Sequence, residues 1–382
     1  MILSIKNIVL IGLLLRIFVA IWNGFFGPSP GADLDALGLH GFASNVALTG
    51  ILDDFTIGYV PYTNLLGLFY RLTINHIFIG SILSCIAWLV SSYFLYKTFI
   101  AFDVHRSQTR TALLLYSIIP SSVMFTAITI REPYQLLFAN IAIYSITKII
   151  LNGKFSYYLL LFFSIFCLGV LHGALLAFGI LLISGVFVLQ KIHEKSIRIS
   201  IGFIFICIII ISNLLVSFSI FSNVAYSLDD GLDSSIQGYQ LALLATDART
   251  NYKSEISITS LSDLLIFIPI GYFQYLFEPL PWKVSTASDV LLLCENILRF
   301  FLIWKIFKCS RIEDVKKRRL LNFVFIFYFL IEAIWSIGTI NWGTSIRHHI
   351  PALGFLLLAA YASTGLTDFK IKSKSKVPFQ SS

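Results

Sequence analysis

The sequence predicts an all-α polytopic membrane protein, and three observations carry that prediction. Of the 382 residues, 57% are hydrophobic and 13% charged, whereas soluble domains run at roughly 45–50% and about 25%. The apolar residues fall in blocks of about 20, the length at which a helix crosses a bilayer. The charges alternate in sign along the chain. Twenty of the 28 Lys and Arg lie at Lys6, 97–110, Lys148, Lys154, 191–198, 305–319 and in the tail from Lys370 to Lys376. Thirteen of the 20 acidic residues lie in or beside the other breaks, at 33–54, Glu132, 229–263, Glu278 and Asp289. Short basic loops resist translocation, so the basic breaks are cytoplasmic and the acidic ones external. Two soluble domains, a disordered chain and a secreted disulfide scaffold are excluded. The net charge of +8 orients the chain in the membrane and implies membrane lipids, not nucleic acid, as its surroundings.

Taken in order from a cytoplasmic N-terminus, the spans fall at about 5–25, 74–96, 111–130, 134–151, 155–171, 174–190, 199–221, 287–307, 320–337 and 350–365. That gives about ten transmembrane helices with both termini cytoplasmic, in one domain over 1–369, followed by a basic cytoplasmic tail at 370–382. The first block reads as a retained helix and not a cleaved signal peptide, because Arg16 interrupts it and no small-x-small site follows. The apolar stretch 261–282 carries Pro269, Gly271, Pro279 and Pro281, which break helices. Counting it as a span would also put the seven basic residues of 305–319 outside. It reads as a re-entrant or interfacial segment on the external side, where irregular backbone survives against protein or a wet cavity. Two external loops are long, 26–73 and 222–260. In the first, Leu34, Leu37, Leu39, Phe42, Val46 and Leu48 form a partly apolar face, which predicts a helix lying on the membrane. Cys85, Cys167, Cys207, Cys294 and Cys309 sit in or beside apolar segments, with no metal-ligand spacing, and read as small core residues.

Ionisable groups at the external ends of spans are the candidates for chemistry. Asp33 and Asp35 follow the first span with no basic neighbour in sequence. Carboxylates at i and i+2 can chelate a divalent cation such as Mg2+ or Mn2+, or divide the roles of general base and ligand-orienting group. They can equally cap the helix that follows. Arg131 can hold a phosphate through two parallel hydrogen bonds, with Glu132 orienting the phosphate or an acceptor hydroxyl; the alternative is an ion pair at a helix mouth. His172 stands alone between two spans. Arg347, His348 and His349 put three basic side chains on the acidic side of the membrane, which an anion such as a lipid phosphate rationalises. Glu295 and Arg299 are spaced as a helical ion pair. Arg16 and Glu332 are intramembrane charges in need of partners, each other among the options.

Together these features resemble the GT-C superfamily of membrane glycosyltransferases, in particular bacterial members similar to the dolichyl-phosphate-mannose protein mannosyltransferases. Those proteins carry an acidic motif of the form D-A-x-x-Y-x-x-x-A soon after the first span. Asp35-Ala36-Leu37-Gly38-Leu39-His40-Gly41-Phe42-Ala43 matches it at Asp35, Ala36 and Ala43 and departs from it at Leu39. Ile119-Pro120-Ser121 with Arg131-Glu132, Pro279-Leu280-Pro281-Trp282, and Gly343-Thr344 with Arg347 to Pro351 are similar to further conserved-order features of such enzymes. The resemblance implies transfer of a sugar from a polyprenyl-phosphate or polyprenyl-diphosphate carrier to a glycan or lipid-linked acceptor outside the cytoplasm. Asp35, or Asp33, is then the general base of an inverting reaction. Arg347, with His348 or Arg131, stabilises the leaving phosphate. Glu132, His172, Glu278, His349 and His40 are candidates for substrate contact. Family members differ in their need for a divalent cation, so a metal at Asp33 and Asp35 stays open. Two other classes compete: an O-antigen-type polymerase acting on lipid-linked repeat units, which would favour a large external loop with catalytic Arg where 222–260 offers only Arg249, and a lipid-linked glycan transporter.

Overall fold

The computed structural model describes residues 3–28, 33–193, 249–252, 261–308 and 314–365. Among them the chain is helical, with one isolated bridge between Asn251 and Asn341. The helices are α1 (Ile5–Phe25), α2 (Asp33–Thr49), α3 (Val60–Leu72), α4 (Ile77–Ala101), α5 (Arg106–Ile118), α6 (Pro120–Phe125), α7 (Glu132–Asn152), α8 (Ser156–Leu171) and α9 (Gly173–His193). After the break come α10 (Leu261–Phe277), α11 (Ala287–Lys308), α12 (Val315–Gly338), α13 (Trp342–His348) and α14 (Leu353–Gly365). Five of them, α1, α4, α7, α9 and α12, are long and apolar enough to cross a membrane, and α8 and α14 are shorter apolar helices. The molecule is a helical membrane protein. The expected span at 199–221, most of the 222–260 loop and the 370–382 tail lie outside the described residues.

The expected third span, 111–130, is not one helix. Proline lacks an N–H and pushes the residue before it out of the helical region; Ile119 accordingly has φ −53° and ψ 120°, and α5 ends there. α6 lasts six residues, and 126–130 continues as irregular, fully buried backbone. Broken backbone at membrane depth needs partners from the protein, and two charged side chains supply them. Arg16 on α1 donates from Nη1 to Ser117 O (2.9 Å) and Gly12 O (2.9 Å), from Nε to Thr126 Oγ1 (2.7 Å) and from Nη2 to Ser122 Oγ (3.1 Å). Its guanidinium also lies 3.6 Å from the Trp88 ring centroid. Glu295 on α11 accepts from Ser121 N–H (2.8 Å) at the start of α6.

These contacts correct two expected pairings. Arg16 does not meet Glu332, which instead accepts from His349 Nδ1 (2.7 Å). Arg299 does not ion-pair with Glu295; it donates to Leu276 O (2.7 Å) and Asn296 Oδ1 (2.6 Å).

The 261–282 stretch also differs from expectation, because α10 runs unbroken through Pro269. Its break comes at 278–280, ahead of the short turn Pro281–Lys283. Tyr252 N–H donates to Ile340 O (3.1 Å), and Tyr275, near the end of α10, packs on His349. Tyr252 and Tyr275 thus both lie against the stretch Ile340–His349. The loop expected to be the first external one contains two helices, α2 and α3. Ala36, Ala43 and Val46 are the buried residues of α2, while Leu37, Phe42 and Leu48 are exposed, so the expected apolar face splits between bundle and surroundings. Cys85 is buried, but Cys294 is exposed and not a core residue.

Two ends are distinguishable. Lys317 pairs with Asp103 (2.7 Å) and Lys305 lies over Tyr361 at the basic end. At the other end Arg131, His172, Trp335, Arg347 and Asp35 gather.

Candidate functional site

The site is organised by α13, seven residues long. Asn341 caps it, accepting Thr344 N–H at Oδ1 (2.8 Å). Its first residue, Trp342, donates from Nε1 to Asp289 Oδ1 (3.1 Å). Asp289 is itself locked: Thr286 and Asp289 form a reciprocal capping box, Asp289 N–H to Thr286 Oγ1 (3.2 Å) and Thr286 N–H to Asp289 Oδ2 (3.0 Å). Arg249 adds a two-pronged contact to the same carboxylate (2.8 and 3.2 Å). With its start held, α13 presents three consecutive side chains about 100° apart, each toward a different neighbour.

Arg347 ion-pairs through Nη1 with Asp35 on α2. The Asp35 side chain is 55% exposed and that of Arg347 14%, so the carboxylate is reachable from outside while the arginine is set back. His348 stacks on Trp335 with ring centroids 4.0 Å apart. Thr339 donates its hydroxyl hydrogen to Trp335 O (2.7 Å), so it receives one from His348 Nδ1 (2.7 Å). Nδ1 is therefore a protonated nitrogen of His348. His349 turns inward to Glu332 and Tyr275.

The α6–α7 and α8–α9 junctions supply the neighbouring residues. Arg131 donates from Nη1 to Leu171 O (3.1 Å). The next residue, His172, accepts Ala174 N–H at Nδ1 (3.2 Å), capping α9, and meets the Trp335 ring at 4.5 Å. Trp335 thus sits between the two histidines. Burial, and next the Arg131 charge, push the His172 imidazolium down to about 4, which agrees with a nitrogen that accepts from backbone. Burial, then His172 and Arg347, hold His348 well below the ordinary range. At neutral pH the fixed cations are Arg131 and Arg347, and both imidazoles are uncharged. Among the described residues, two buried N–H donors here have no acceptor, Arg347 Nε and Trp335 Nε1.

The remaining sequence candidates divide. Glu132 is buried at the first turn of α7, beside Arg131 and with Pro133 next to it. Tyr62 feels the charges of both Glu132 and Arg131. Glu278 is engaged locally, accepting from Leu280 N–H (2.9 Å) and Lys283 Nζ (3.0 Å). His40 packs α2 on α3, with Nδ1 3.2 Å from the Tyr70 hydroxyl and Nε2 3.5 Å from Ser44 Oγ; burial lowers its pKa. His349 and Glu332 border a cavity of ≈ 40 Å³ with Arg299, Glu295, Tyr328 and Ser122, room for two or three waters. The Asp33 side chain lies outside the described residues. A divalent cation takes six or more oxygens. Asp35 is paired with Arg347, and no group of three or more His, Cys, Asp or Glu suited to a metal occurs among the described residues.

Sequence reasoning missed Trp335, Thr339 and the clamp role of Asp289. Thr286-x-x-Asp289 was a readable capping signature; Trp335, inside an apolar block, was not. No model of a known protein family matches this chain, and no curated protein matches it in sequence.

Proposed function

We propose that the protein is a GT-C-like membrane glycosyltransferase with ten crossings and cytoplasmic termini. It moves a sugar from a polyprenyl-phosphate or polyprenyl-diphosphate carrier onto a cell-surface glycan or lipid-linked acceptor on the external side of a bacterial inner membrane. The observation that carries this reading is the pair of buried donors without acceptors, Arg347 Nε and Trp335 Nε1, beside Arg131 and a reachable carboxylate. A phosphate oxygen supplies the acceptor those donors lack. Arg347 then trades its contact with Asp35 for the phosphate, which frees Asp35 to act. Asp35 takes the proton of the acceptor hydroxyl as that oxygen attacks the anomeric carbon. The bond from anomeric carbon to phosphate oxygen breaks with inversion, and Arg347, Arg131 and the indole N–H meet the charge on the leaving phosphate. The polymerase reading is disfavoured by Arg249, whose guanidinium is occupied by Asp289.

The test is the size profile of surface glycans and lipid-linked sugars in a deletion strain rescued with wild type, Asp35→Asn or Trp335→Phe. A glycan short by one defined sugar, restored by wild type, not by Asp35→Asn and weakly by Trp335→Phe, is expected. Loss of the long-chain ladder with single repeat units retained would establish the polymerase instead, and an unchanged profile in the deletion would end the transferase reading.

A further inference from the structure

At the basic end, α1 and α4 separate. Their antiparallel contact is closest where a glycine leaves no side chain: a Cβ on Gly12 would lie 2.6 Å from Trp88 Cη2, and one on Gly24 2.7 Å from Phe78 Cβ. Beyond Gly12 the small residues stop. Ile5 and Val9 face Leu89, Tyr93 and Tyr96, and between them opens a groove of ≈ 430 Å³. It extends from Leu89 to Tyr96, about 10 Å at the helical rise of 1.5 Å per residue, and its walls are apolar apart from Lys6, Ser92 and the tyrosine hydroxyls. Ser92 uses its hydroxyl on Trp88 O (2.9 Å), which leaves the floor of the groove to carbon atoms.

Lys6 lines the same groove, and Lys97, one turn beyond Tyr93, holds its ammonium 5.5 Å from the Tyr93 ring centroid. Both cations lie at the end of α1 and α4 that also carries Lys305 and Lys317. An apolar slot between two membrane-crossing helices, with two lysines at its rim, matches a molecule having a hydrocarbon chain and an anionic head. We propose that this groove binds one acyl chain of an anionic glycerophospholipid, with Lys6 and Lys97 taking its phosphate. The site is separate from the glycosyl-transfer centre at the other end of the bundle and does not depend on that reading. The chain supplies the apolar contact and the lysines the selectivity for charge, each lysine near an anionic surface being worth about fivefold in affinity.

The full chain, purified in mild detergent, is incubated with equimolar phosphatidylglycerol and phosphatidylethanolamine of identical acyl chains, and retained lipid is read by native mass spectrometry. Wild type is expected to retain one phosphatidylglycerol preferentially. Lys6→Gln and Lys97→Gln should each lower that preference about fivefold. Val9→Trp fills the groove from α1 and Leu89→Trp from α4, so each should abolish retention of both lipids; circular dichroism identifies a variant that fails to fold, and the other wall then serves. Equal retention of the two lipids by wild type, or undiminished retention by a folded groove-filling variant, overturns the proposal. So does displacement of phosphatidylglycerol by an added polyprenyl phosphate, which would make this a carrier site.

Discussion

His172 gives the site a pH dependence whose sign and size follow from its surroundings. Its Nδ1 accepts a backbone N–H, and burial and the Arg131 charge lower its folded pKa from 6.5 to about 4. The unfolded chain therefore binds more protons than the folded one between those values. Stability is complete above pH 6.5 and is lost as pH falls toward 4, by about 3 kcal/mol in all. Between pH 7 and pH 5 the loss is about 2 kcal/mol. His348, also held neutral, with Arg131 and Arg347 as its fixed positive neighbours, acts in the same direction. The perturbation that isolates His172 is His172→Gln, which keeps an acceptor for Ala174 N–H and does not titrate. The assay is equilibrium unfolding in lipid bicelles with added denaturing detergent, for both proteins, at half-unit steps from pH 5 to pH 8. Wild type should lose about 2 kcal/mol more than the variant on going from pH 7 to pH 5, and the curves should run parallel above pH 7. Parallel curves throughout, or a wild type that gains on the variant in acid, would show that His172 is charged in the folded protein and would refute the argument.

Three further outcomes are expected. A Cβ on Gly354 would sit 1.8 Å from Asn140 Oδ1, and Asn140 cannot retreat without losing its bonds to Ser91 (2.8 Å) and Tyr116 (3.0 Å); Gly354→Ala should cost about 2 kcal/mol or more, most of it recovered in an Asn140→Ala background by a thermal double-mutant cycle. Arg16→Met strands Ser117 O and two hydroxyls and should cost about 3–5 kcal/mol, with Arg16→Lys recovering part, because an ammonium cannot reproduce the planar fork; chemical unfolding in bicelles measures both. Asp289→Ala should lower the thermal midpoint more than Arg249→Ala, since Asp289 also serves Ser285, Thr286 and Trp342, while the Arg249 side chain is half exposed.

Helix lengths were legible for some of the apolar blocks. The block at 5–25 is α1, and 155–171 is α8 to within a residue. The third block failed because hydropathy counts side chains and ignores backbone hydrogen bonds. Pro120 was in view, but what makes the break tolerable, Arg16 and Glu295, lies 101 and 174 residues away from the groups they serve. Pro269 failed in the opposite direction: α10 keeps its course through it, with Tyr272 anchored on Phe329 O (3.1 Å). At the site, sequence picked out Asp35, Arg131, His172 and Arg347 as polar groups at the ends of apolar blocks, and the structure gathers them at one end. It did not show that Arg347, His348 and His349 have three separate partners. That depends on how α13 is set, and its setting depends on Asp289, in a different helix.

An ionisable side chain at membrane depth is ordinarily a pointer to function, yet the two arginines of greatest interest here point in different directions. Arg16 has Nε, Nη1 and Nη2 all bonded to the broken helix and a Trp ring beside its plane. Four of its five N–H groups are bonded within the bundle, and its charge serves to solvate broken backbone. Arg347 bonds a carboxylate that solvent can approach, and its Nε is buried without an acceptor. A donor left unpaired in the folded state costs free energy that an arriving acceptor recovers. The difference between a structural and a ligand-binding arginine is therefore not depth, charge or sequence motif but the number of its donors still unmatched. By that criterion the end that carries Arg347, and not the intramembrane Arg16, is where an anion would gain most.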